Sequence, residues 1–160
     1  METESESVDL LTRLRTRAVE RGKTPNITVC GDSMMPFIRS GDTLLIAPRE
    51  GYEVGEAVVF AFRRDTLVHR IVERDGDIYI CKGDNSIRLE RVRDDGIIGA
   101  VVSVGGEPLP PLPKEIVKMS YEVGRLHESG ADISAVRASS LYARYMGKIN
   151  EFFTSCDVSK

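Results

Sequence analysis

Hydrophobic and polar residues follow two different patterns along the chain. In residues 7–22, Val8, Leu11, Leu14 and Ala18 recur at steps of three and four, the spacing of one helix face, and Gly22 closes the segment. Asp9 near the start and the arginines further on suit the helix dipole, so a helix is predicted there. From residue 26 the pattern changes. Short runs rich in β-branched and aromatic residues occupy 26–30, 43–47, 57–62, 66–72, 77–81 and 97–104. The turn-forming stretches SGD (40–42), EVGE (53–56), RDGD (74–77) and RDDG (93–96) separate them, which predicts an all-β core over about 26–106.

PLPPLP at 108–113 ends the β pattern with a stiff connector. Beyond it Ile116, Met119, Val123 and Leu126 return to helical steps. A second helix is predicted over about 132–153, with Ile133, Val136, Leu141, Tyr145, Ile149 and Phe152 on its stripe. The expected organisation is an N-terminal helical segment (1–25), a β core (26–107) and a Pro-rich connector with two helices (108–160). The fold class is therefore mainly β with helices at both ends. Apolar stripes are costly to leave in water, so the C-terminal helices should pack on the core or join two copies of the chain as a homo-oligomer.

Composition narrows the partners. At 160 residues, 41% apolar and 29% charged, the chain suits one domain with a real core. With 22 Lys and Arg against 25 Asp and Glu, the net charge is -3, and no nucleic-acid partner is expected. The longest apolar run, IIGAVV from residue 97, falls far short of the roughly 20 residues of a membrane span. The acidic opening METESESVD is unlike a secretory or mitochondrial leader, so a cytoplasmic location is expected. Cys30, Cys81 and Cys156 are sparse and lack metal-ligand spacing, so neither a metal nor an organic cofactor is expected. Cys30 and Cys81 read as small buried strand residues.

A serine becomes a nucleophile only when a base takes its proton and donors hold the resulting oxyanion. Only two histidines can serve as that base. His127 falls in a helix beside Leu126 and Glu128 and reads as a surface residue. His69 stands in TLVHRIV, a strand pattern that aims its ring to the face opposite Val68 and Arg70. Ser33 stands in GDSMMPFIRSGD, directly after an apolar strand, where Gly31 permits close backbone approach and Pro36 limits the turn. By local sequence alone Ser33 is either a nucleophile or the capping serine of a turn.

GDSMMPFIRSGDTLLI resembles the nucleophile box of the LexA and type I signal peptidase superfamily. GEAVVFAFRRDTLVHRIV resembles the following strand that carries the general base, KGDN at 82–85 resembles the next box, and IIGAVVSV resembles the closing strand. Lysine is usual at the base position; His69 is similar instead to the endoplasmic-reticulum type of signal peptidase. The resemblance spans about residues 26–106 and implies Ser33 as nucleophile, His69 as general base and Asp84 as the carboxylate that orients the imidazole. Glu90 and the Asp94–Asp95 pair are the alternative acids. The resemblance also implies that Met34 and Pro36 contact substrate, and that the substrate is a peptide or protein precursor bound as an extended strand. Gly31 stands where many bacterial signal peptidases have a serine, so backbone amides alone would serve the oxyanion, and Asp32 places a negative charge beside the nucleophile. An imidazole base, with an ordinary pKa near 6.5, predicts activity that rises through about pH 6–8. The segment ahead of the core is too short and acidic for a DNA-binding domain, which sets this chain apart from regulated self-cleavage. The expected function is a soluble serine endopeptidase; the alternative is a non-hydrolytic partner-binding module on the same fold.

Overall fold

Each of these short β-branched and aromatic runs becomes a strand, and the register between strands decides which side chains meet. The computed structural model describes residues 26–157; the helix expected over 7–22 lies outside them. The strands are β1 (Asn26–Thr28), β2 (Thr43–Ala47), β3 (Ala57–Phe62), β4 (Asp65–Asp75), β5 (Ile78–Lys82), β6 (Glu90–Arg93), β7 (Ile97–Val104) and β8 (Glu107–Pro108). They form one antiparallel sheet in the order β1-β2-β7-β3-β4-β5-β6, with β8 paired to β7. The sequence pattern gave no sign of β6 or β8. Both are short, and β6 reads ERVR, in which charge masks the alternation.

Helices α1 (Lys114–Glu128), α2 (Ile133–Arg137) and α3 (Ser140–Asp157) follow the connector. The single helix expected over 132–153 is broken between α2 and α3. Ser139 causes the break: its hydroxyl donates to the Val136 carbonyl at 2.6 Å and accepts from the Tyr142 amide at 3.1 Å. A serine that bonds its neighbours' backbone ends one helix and caps the next.

Strand β4 is covered on both faces. Val72, with Ile80 of β5, packs against Ile116, Val123, Tyr145 and Ile149 of the helices. Ile71 and Cys81 pack on the other face with Phe60, Tyr79 and Val92. Most of the apolar stripe of the helices is thus covered from within one chain, while Ile133 stays 41% exposed. Burial of each large apolar side chain contributes about 1.5–3 kcal/mol, enough to fix the helices against the sheet.

Register then sorts the polar residues. Arg70 pairs opposite Lys82, Ile71 opposite Cys81, and Cys81 opposite Glu90. Paired residues share a face and successive residues alternate, so Lys82 sits with Arg70 on the helix-covered face, while Glu90 shares the face of His69.

Candidate active site

Ser33 lies in the connection between β1 and β2. Hydrogen bonds from the Val29 amide to the Asp42 carbonyl and from the Gly41 amide to the Val29 carbonyl, both 2.9 Å, close the base of this loop. Gly31 has φ +103°, a left-handed conformation that strongly favours glycine, and it turns the chain toward Ser33. Buried Met34 and Ile38 anchor the turn from below. Among the described residues, the amides of Ser33 and Met34 meet no acceptor, whereas the Met35 amide donates to the Asp32 carbonyl at 3.1 Å.

The His69 ring, projecting from β4, links two side chains. Its Nε2 is 3.2 Å from Ser33 Oγ, and its Nδ1 is 2.9 Å from Glu90 Oε2. With Nδ1–H donating to the carboxylate, the Nε2 lone pair faces the serine hydroxyl. His69 and Glu90 are both buried, and Phe60 meets the ring edge-on at 6.0 Å between centroids. Gly83 makes this arrangement possible. A Cβ there would stand 2.5 Å from the Ser33 carbonyl oxygen and 3.1 Å from His69 Nε2, so no side chain fits.

Asp84 does not meet His69, and the expected role is corrected. Its carboxylate is fully buried and accepts from Arg70, 2.7 Å from Nη2 to Oδ2 and 3.2 Å from Nε to Oδ1. β5 ends at Lys82, and the turn that follows carries Asp84 to Arg70 and away from the imidazole. Glu90, one of the alternatives, occupies the place expected for Asp84. Asp94 and Asp95 lie in the short 3-10 turn before β7.

Other expectations divide in the same way. Met34 is 2% exposed and its sulfur accepts from the Asp84 amide at 3.4 Å, so it supports the turn and contributes only to a cleft floor. Pro36, which follows a cis peptide bond, is not among the residues lining that cleft. Cys81 is buried, and burial pushes its thiol far above the ordinary value, which removes it as a nucleophile. Cys30, expected to be buried, is exposed: it stands two residues beyond the end of β1, at the cleft rim. His127 is half-buried at the end of α1, with Nδ1 2.9 Å from the Ala131 carbonyl.

The cleft beside Ser33 measures about 180 Å³. Ile27, Val29, Met34, Leu67 and Val68 give it an apolar lining. Its walls are strand edges. β1 pairs with β2 on one side only, and β5 covers β4 only from Arg70 onward, so the start of β4 has an open edge among the described residues. Such edges offer main-chain donors and acceptors to an extended peptide.

A family model described as Peptidase S24-like matches residues 2–102. No curated protein matches the chain. No helix among the described residues is long and apolar enough to cross a membrane.

Proposed function

Since the chain belongs to the Peptidase S24-like family, we propose that it is a serine endopeptidase that uses Ser33, His69 and Glu90 on an extended peptide or protein precursor. The observation that carries this reading is the continuous chain from Ser33 Oγ through the imidazole to Glu90 Oε2, at 3.2 and 2.9 Å. In the proposed reaction Ser33 Oγ attacks the amide carbonyl while His69 Nε2 takes its proton. Glu90 holds the Nδ1–H tautomer and stabilises the imidazolium without accepting the proton. The Ser33 and Met34 amides are the candidate donors to the oxyanion. His69 then returns the proton to the leaving amine, and water attack on the acyl-serine completes hydrolysis. The apolar cleft of about 180 Å³ favours small apolar side chains next to the scissile bond.

A fluorophosphonate probe tests the reading directly, because it phosphonylates only an activated serine. The native chain should take one label per molecule, mapped to Ser33 by peptide mass analysis, and Ser33→Ala should take none. A folded native chain that stays unlabelled would leave the partner-binding module as the better description.

A further inference from the structure

Between Ser33 and the helices lies a turn with no chemistry of its own, Gly83–Asn85. On the side of the site, the Asn85 amide donates to the Ser33 carbonyl at 2.8 Å, and Asn85 Nδ2 donates to the Asp32 carbonyl at 3.2 Å. Gly83 lies against both Ser33 and the His69 ring, with no room for a Cβ. A displacement of this turn therefore moves both halves of the Ser33–His69 contact.

The far side of the turn is held by buried donors. Tyr145 Oη, on α3, donates to the Asp84 carbonyl at 2.7 Å. Lys82 Nζ donates to the carbonyls of Gly83 at 2.8 Å and Ser86 at 2.6 Å, and stands 3.4 Å from Tyr145 Oη. Tyr145 and Lys82 are both fully buried. A phenylalanine would fill nearly the same space as Tyr145, so packing accounts for the ring and leaves the hydroxyl to the turn. Desolvation raises the phenol well above its ordinary pKa, which keeps the hydroxyl a donor at neutral pH.

We propose that Tyr145 is a positioning residue for the Ser33–His69 pair, acting through the Gly83–Asn85 turn. This rests on the reading of Ser33 as the nucleophile. Tyr145 lies outside the residues matched by the family model, so the helical region supplies a working part of the site. From the Tyr145 hydroxyl the path runs to the Asp84 carbonyl, along one peptide to the Asn85 amide, and on to the Ser33 carbonyl. Nucleophilic attack needs near-contact geometry, and misplacement by about 1 Å can cost about 100-fold.

The test compares fluorophosphonate labelling rates of the full chain, Tyr145→Phe and Ile149→Ala. Ile149 is buried on the same helix but makes no hydrogen bond to the turn, so it reports loss of packing alone. Tyr145→Phe, folded at the assay temperature, should label at least about tenfold more slowly. Ile149→Ala should stay within about twofold of the native rate while folded. The proposal is overturned if Tyr145→Phe labels at the native rate, or if Ile149→Ala slows as much. Should the native chain take no label, the peptidase reading fails separately, and nitrogen NMR of the His69 ring decides. His127→Gln leaves His69 as the sole imidazole. In that background Tyr145→Phe should move the ring nitrogen resonances; unmoved resonances would remove Tyr145 from the site.

Discussion

Glu90 and Asp84 are both buried carboxylates, yet their partners give them different work. Glu90 faces an imidazole whose other nitrogen faces a hydroxyl, whereas Asp84 faces a guanidinium that also donates to the Gly55 carbonyl at 3.1 Å. Glu90→Gln keeps the shape but loses the charge that stabilises an imidazolium, so turnover should fall by up to about 10⁴-fold. Its melting temperature should change far less than that of Asp84→Asn. Asp84→Asn leaves Arg70 buried without a counter-charge, which should cost about 3–5 kcal/mol in urea unfolding. A large loss of turnover in Asp84→Asn with native stability would reverse the two assignments. Gly83→Ala forces a Cβ against the Ser33 carbonyl and the His69 ring. Overpacking of this kind costs about 1–3 kcal/mol, and peptide turnover, measured on the folded fraction, should be lost with it.

At the scale of elements, the position of β6 depends on α1. Gly124 of α1 lets the helix seat on Leu89, where an added Cβ would stand 2.3 Å from Leu89 Cδ2. Arg91 and Glu128 add a two-point ion pair at 2.9 and 3.1 Å, whose hydrogen bond draws the Glu128 carboxyl below its ordinary value. The pair is substantially exposed and should contribute no more than about 1 kcal/mol. Packing of the helices is the larger contribution. Truncation after Pro113 would uncover Val72, Ile80 and Ile87, so the shortened chain should aggregate or melt earlier in a thermal scan. The same dependence explains what the sequence did and did not disclose. β2, β3, β4, β5 and β7 stand out as short runs rich in β-branched and aromatic residues, and His69 lies in one of them, whereas only the resemblance separates Ser33 from a capping serine. Glu90 was only an alternative, because ERVR does not read as a strand and its pairing with β5 is a long-range fact. Asp84 is implied by the resemblance alone, and which side of the sheet the turn after β5 presents it to is set by its buried ion pair with Arg70, a contact no local pattern shows. The break at Ser139 was legible in principle, since a serine within a helical stripe is a capping candidate.

For the molecule as a whole, a fully buried lysine ties stability to pH. Lys82 joins the sheet, the Gly83–Asn85 turn and helix α3, and burial lowers its ammonium to about 7 although Asp84 and Glu90 pull it upward. Because the folded value lies below the unfolded one, the unfolded chain binds the extra proton between about pH 7 and 10.5. Stability from this group is therefore fully present above about pH 10.5, and is lost as pH falls toward about 7. Its slope approaches 1.4 kcal/mol per pH unit, or about that order, within this window. Comparison with Lys82→Met isolates the effect, since the other titrating groups largely cancel between two chains that differ at one position. Urea unfolding of both at about pH 7 and about pH 9 should show the native chain gaining on the variant as pH rises. A difference that stays flat, or that shrinks with rising pH, would mean that the ammonium keeps its proton inside the fold. The three acceptors around Nζ, namely the carbonyls of Gly83 and Ser86 and the hydroxyl of Tyr145, would then satisfy a permanent charge.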